Sequence, residues 1–102
     1  MPRRGEVWLV DLGMAQKTRP AVILSVEPED TDRVVVTVVS HTTARRDSPF
    51  EIVVPVPFLR EGAFAVQSIT TIPTKHALRR LGSLTPEQLA PIENGVRAWL
   101  KL

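Results

Sequence analysis

Cysteine is absent from the 102-residue chain, which excludes disulfides, thiolate-ligated zinc and thiol nucleophiles. Tyrosine is absent too, and aromatic residues make up only 5%, so an RNA-recognition sheet built on stacked rings is also excluded. No apolar run approaches the roughly 18 residues that a membrane-spanning helix needs. The opening Met1-Pro2-Arg3-Arg4-Gly5 leads into no apolar core of the signal-peptide kind. A cytoplasmic protein with no membrane partner is the expectation. Net charge is small, with 13 Lys and Arg against 11 Asp and Glu. What is present is an ordinary globular composition of 43% apolar and 24% charged residues, which excludes a disordered chain. The length predicts a single domain over residues 1–102.

The small positive excess is carried by arginine, which supplies ten of the 13 basic residues and falls in the pairs Arg3-Arg4, Arg45-Arg46 and Arg79-Arg80. Arginine presents a planar fork suited to phosphate and base edges. Its clustering is compatible with a solvated surface and with a patch for a polyanion.

Hydrophobic patterning predicts five short strands. Glu6–Asp11 alternates, Pro20–Val26 is a short β-branched run, and Arg33–Ser40 has the strongest strand propensity in the chain. Phe50–Val54 and Ala63–Ile72 follow, halted by Pro55 and Pro73. Lys75–Leu81 reads as a short helix stopped at Gly82, with Arg79 and Arg80 near its terminal carbonyls. Thr85-Pro86-Glu87-Gln88 is a helix start, with Thr as cap, Pro in the first turn and Gln three residues after the cap. Leu89, Ile92, Val96 and Trp99 or Leu100 continue at helical spacing, while Pro91 and Gly95 weaken or bend the helix. Strands in this number, joined by short loops, predict a small antiparallel barrel or strongly bent sheet.

Five elements then occur in order: Arg4-Gly5-Glu6-Val7-Trp8, the run from Arg19 to Ser25 (RPAVILS), His41-Thr42-Thr43 with Pro49-Phe50-Glu51-Ile52-Val53 behind it, Gln67, and Arg80-Leu81-Gly82-Ser83-Leu84. The ordered set resembles the MazF/PemK family of toxin–antitoxin toxins over essentially the whole chain. The resemblance implies a mainly β, SH3-like barrel of the CcdB/MazF type, with about five strands and a C-terminal α-helix. It implies a homodimer, metal-independent cleavage of single-stranded RNA at short sequences with no cofactor, and a cognate antitoxin peptide that blocks the RNA groove. The family's catalytic Arg falls on Arg19 and its catalytic Thr on Thr42, with Thr43 beside it. The loop expected to close over RNA is residues 12–18, the polar segment Ala44–Ser48 lines the groove, and Gln67 matches a groove Gln. Several relatives carry a Glu in the first loop; residues 14–18 here contain no carboxylate.

Cleavage through the RNA 2′-hydroxyl, giving 2′,3′-cyclic phosphate and 5′-hydroxyl ends, needs a proton acceptor and a group that holds charge on phosphorus. Arg19 suits the second task and not the first, because guanidinium stays protonated. Thr42 can position the phosphate or the hydroxyl. His41 is a secondary catalytic candidate on chemistry. Strict strand alternation, however, turns it away from Thr42. Lys17, Arg45 and Arg46 are expected at a phosphate-contacting rim. Two other readings share the fold: a CcdB-like gyrase poison, for which Trp99 near the C-terminus is weak support, and a non-catalytic binding module.

Overall fold

The computed structural model describes residues 1–13 and 17–102. Among the described residues there are seven strands, β1 (Glu6–Asp11), β2 (Thr18–Ile23), β3 (Val35–Thr42), β4 (Glu51–Ile52), β5 (Ala63–Ala65), β6 (Thr70–Pro73) and β7 (Ala77–Ser83), followed by one helix, α1 (Pro86–Leu100). All pairings are antiparallel, in the order β4-β5-β3-β2-β1-β7, and β6 also pairs with β3. The mainly β fold with a terminal helix matches expectation. Among the described residues the sheet does not close: β4 and β7 lie at its two ends, so it is a strongly bent sheet rather than a complete barrel.

The extra strands have definite causes. The segment expected as one strand from Ala63 to Ile72 is broken by a 3-10 turn at Val66–Ser68. β3 therefore meets β5 at His41 and Thr42 and meets β6 from Val35 to Val38. Lys75–Leu81 is not a helix. A single 3-10 turn, Thr74–His76, leads directly into β7, which covers the free edge of β1. The backbone groups of that edge need partners, and this outweighs the local preference of Ala-Leu-Arg-Arg-Leu. Arg79 and Arg80 accordingly do not cap a helix. Arg80 Nε lies 3.1 Å from Glu6 Oε2. Glu6 Oε1 accepts from the Trp8 indole at 3.0 Å and from the Arg3 amide at 2.9 Å. Burial alone would raise the Glu6 pKa, but these hydrogen bonds and the charges of Arg80 and Arg3 together hold it below its usual value.

The helix start is as predicted. Thr85 Oγ1 accepts from the Gln88 amide at 3.2 Å, and Gln88 Oε1 accepts from the Thr85 amide at 2.8 Å. α1 runs unbroken past Pro91. Gly95 does not stop it. A Cβ there would lie 3.1 Å from Ile52 Cδ1 and 3.2 Å from Val66 Cγ1, so the missing side chain lets the helix sit close on β4 and the 3-10 turn. One face of the sheet packs Val7, Val22, Val39 and Phe64 against Leu89 and Ile92 of the helix. The opposite face gathers Val10, Ala21, Ile23, Val36, Val38 and Ile72, with Trp8 half-buried against them. Ala21, Val22 and Ile23 are fully buried, two on one face and one on the other, which accounts for the unalternating apolar run in β2.

Candidate active site

The second of these faces changes character along its strands. On β3 the side chains that share it are Val36, Val38, Ser40 and Thr42; on β2 they are Ile23, Ala21 and Arg19. Ala21 pairs with Ser40, and the same antiparallel register carried two residues further sets Arg19 across from Thr42. Thr42 pairs with Ala63 on β5, and Ala65, two residues on, pairs with Glu51. Period-two alternation therefore delivers Arg19, Ser40, Thr42, Ala65 and Glu51 to one side of the sheet. They line a single open cavity of about 450 Å³, together with Ala44, Arg46, Gln67 and Ser68.

Hydrogen bonds fix its floor. Ser68 Oγ accepts from the Ser40 amide at 3.0 Å and from the Ser40 hydroxyl at 2.8 Å, and donates to the Ala65 carbonyl at 2.6 Å. This ties the 3-10 turn that presents the exposed Gln67 to the middle of β3. Thr42 Oγ1 accepts from the Ala44 amide at 3.0 Å, which leaves its own proton free to donate outward. The Arg46 amide donates to Glu51 Oε1 at 2.7 Å and so draws the 44–48 segment over the cavity.

Arg19, Thr42, Arg46 and Gln67 are thus brought together. Arg45 and Lys17 do not line this cavity. Arg45 is exposed, 3.8 Å from Asp47, and Lys17 is exposed, with a φ of 56°. The Lys17 amide donates to the Gly13 carbonyl at 2.8 Å, and its carbonyl accepts from the Leu12 amide at 3.0 Å. The rest of the loop expected to cover RNA, residues 14–16, lies outside the described residues. Thr43 is exposed and faces a second cavity of about 300 Å³, shared with Thr18, Arg19, Phe58 and Arg60.

His41 does not join Thr42. β3 continues through both residues, so they face opposite ways, and His41 pairs with Phe64 in the core. Its ring is edge-on to Phe64 with centroids 5.0 Å apart, and the residue is 5% exposed. It reaches the edge of the Thr43 cavity, where Arg19 and Arg60 are the nearby charges. Burial holds the imidazole below its usual pKa. The unfolded chain then binds this proton more readily than the folded one, so stability should decline as the pH falls below about 6.5. Denaturant midpoints measured at acidic and at neutral pH should show that decline, and His41→Phe should flatten it. Equal pH slopes for the two proteins would refute it.

Two contributors lie beyond the sequence reading: Glu51, and the Ser40–Ser68 pair. The alternation of Phe-Glu-Ile-Val could have placed Glu51 opposite its apolar neighbours. Only the pairing of β4 with β5 shows that its face is that of Thr42.

Comparison with known proteins bears on this geometry. A family model described as PemK-like, MazF-like toxin of type II toxin–antitoxin system matches residues 3–100. An endoribonuclease from a mycobacterial species, solved in complex with its cognate antitoxin, is 26% identical with a TM-score of 0.84, over 100% of this chain and 97% of that one. The Mycobacterium tuberculosis toxin MazF-mt6 is 25% identical with a TM-score of 0.79, over 95% of this chain and 97% of that one. MazF from Deinococcus radiodurans, at 18% identity, shares the fold with a TM-score of 0.83, over 99% of this chain and 97% of that one. With its strand order, terminal helix and nearly full-length match, the chain belongs to the family of PemK-like, MazF-like toxins of type II toxin–antitoxin systems.

Proposed function

We propose that this chain is a metal-independent endoribonuclease that cuts single-stranded RNA at short sequences, the toxin of a cytoplasmic toxin–antitoxin pair. The observation that carries the reading is the convergence of Arg19, Thr42, Arg46 and Gln67 on one cavity. In this reading Arg19 and Thr42 are the catalytic pair. The exposed Arg19 guanidinium presents its fork to the non-bridging oxygens and stabilises charge as it develops on phosphorus. The Thr42 hydroxyl, oriented by the Ala44 amide, donates to the same phosphate. Arg46 and Gln67 hold the flanking nucleotides; Lys17 and Arg45 extend the positive rim, and Thr43 lies at its edge. Membership in this family supports a homodimer and an antitoxin peptide that covers the same cavity. The mycobacterial relative solved with its antitoxin supports the second of these.

Incubation of the purified protein with a long RNA in excess EDTA tests the reading. Discrete fragments with mapped, recurring end sequences are expected. Intact RNA together with stalled DNA gyrase would favour the gyrase-poison alternative instead.

The cavity also predicts how the basic residues divide. Phosphate contacts position a strand without reading its sequence. Arg46→Ala should weaken RNA binding for all sequences alike and make log K against log salt shallower by about 0.7. Arg45→Ala should do less, because Arg45 stands outside the cavity beside Asp47. Binding isotherms at several salt concentrations would check this, and an unchanged slope in Arg46→Ala would contradict it.

A further inference from the structure

We propose that Glu51 is the general base of the reaction, the group that takes the proton from the attacking 2′-hydroxyl. The proposal rests on the endoribonuclease reading. That site needs a proton acceptor, and none of Arg19, Thr42, Arg46 or Gln67 supplies one, since a guanidinium, a hydroxyl and an amide do not take up protons near neutral pH. The first loop holds no carboxylate between residues 14 and 18. His41, the one imidazole near the site, faces the core from the opposite side of β3. Among the residues that line the Arg19–Thr42 cavity, Glu51 is the only one with an ionisable carboxylate or imidazole.

Its placement suits the task. Glu51 is half-buried on β4, across from Ala65, on the face that carries Thr42. One carboxylate oxygen, Oε1, is held at 2.7 Å by the Arg46 amide. The other takes part in no hydrogen bond among the described residues, and no ion pair with an arginine ties it up. The backbone therefore fixes the carboxyl through one oxygen and leaves the second unpartnered, on a residue that lines the cavity together with Arg19 and Arg46. A base anchored in this way loses little freedom when substrate arrives.

The step balances as follows. Glu51 Oε2 takes the 2′-hydroxyl proton as O2′ forms a bond to phosphorus, and Arg19 and Thr42 hold the non-bridging oxygens. The bond from phosphorus to O5′ breaks, and O5′ takes a proton from solvent water. The products are a 2′,3′-cyclic phosphate and a 5′-hydroxyl end, and Glu51 then releases its proton to solvent.

Glu51 also tethers the Arg46 segment, so the test must separate the two roles. Glu51→Gln keeps a carbonyl oxygen for the Arg46 amide and removes the base. Cleavage of a long RNA by the full chain in EDTA should lose about a hundredfold or more in kcat for Glu51→Gln, with KM within about threefold of wild type. Wild type should show a rate that levels off as the pH rises. The variant should instead climb about tenfold per pH unit as hydroxide takes over. A Glu51→Gln rate within about threefold of wild type, or a lower rate that keeps the wild-type pH profile, would overturn the proposal and leave Glu51 as the tether alone. Arg19→Ala run alongside separates the failures. If Arg19→Ala is inactive while Glu51→Gln is active, only the base assignment falls. If wild type leaves RNA intact, the endoribonuclease reading falls and the base assignment with it.

Discussion

Arg19→Ala should lose RNA cleavage by a hundredfold or more while the protein stays folded. Arg19 sits on β2, exposed, and its side chain makes no hydrogen bond or ion pair among the described residues. Removing such a side chain changes stability by no more than about 0.5 kcal/mol. It stands where the apolar face of β2 and β3 turns polar, at the rim shared by both cavities. A preorganised donor lost from a developing negative charge costs roughly 3–4 kcal/mol of transition-state stabilisation, which is the expected hundredfold or more. Arg19→Lys keeps the charge and loses the planar fork, so it should recover only part of the rate. Single-turnover cleavage in EDTA, with a thermal melt of each variant, checks the pair. A folded Arg19→Ala protein that cleaves within about threefold of wild type would remove Arg19 from the site.

How much of this was legible beforehand differs by element. The start of α1 was, because a capping box is a local device whose parts lie within four residues. So was the divergence of His41 from Thr42, since alternation needs only that the strand continue, and β3 runs to Thr42 where the sequence alone ended it at Ser40. The identity of β7 was not legible. Arg79 and Arg80 have good helix propensity, and what makes that segment a strand is the unpaired edge of β1, some 70 residues earlier in the chain. Glu51 was hidden for the same kind of reason. Its alternation was visible, but the partner that orients it, Ala65, is set by a two-residue strand that only the folded sheet reveals. The polar cavity is thus assembled from local patterns joined by non-local pairings. Arg19 and Thr42, on strands, line that cavity, whereas Lys17 and Arg45, expected at its rim, do not.

Gly62→Ala should cost both stability and activity, through one collision. A Cβ at position 62 would lie 2.2 Å from the Thr42 carbonyl oxygen, 3.0 Å from its carbon and 2.8 Å from His41 Cε1. The first two are backbone atoms of β3 and cannot swing aside. Gly62 is buried and directly precedes β5, whose Ala63 pairs with Thr42 and whose Phe64 pairs with His41. To admit a methyl group, β5 must separate from the end of β3. That loosens the Phe64–His41 edge contact on the core side and shifts Thr42 on the cavity side. Overpacking of this kind costs about 1–3 kcal/mol. The cleavage rate should fall as well, because a displacement of about 1 Å in a positioning group is enough to lose a hundredfold. Denaturant unfolding gives the first number and single-turnover cleavage the second. Both losses are expected to appear together at a temperature where the variant remains fully folded. Stability within about 0.5 kcal/mol of wild type would show that β5 accommodates the methyl group, and that the glycine is not what holds Thr42 in the site.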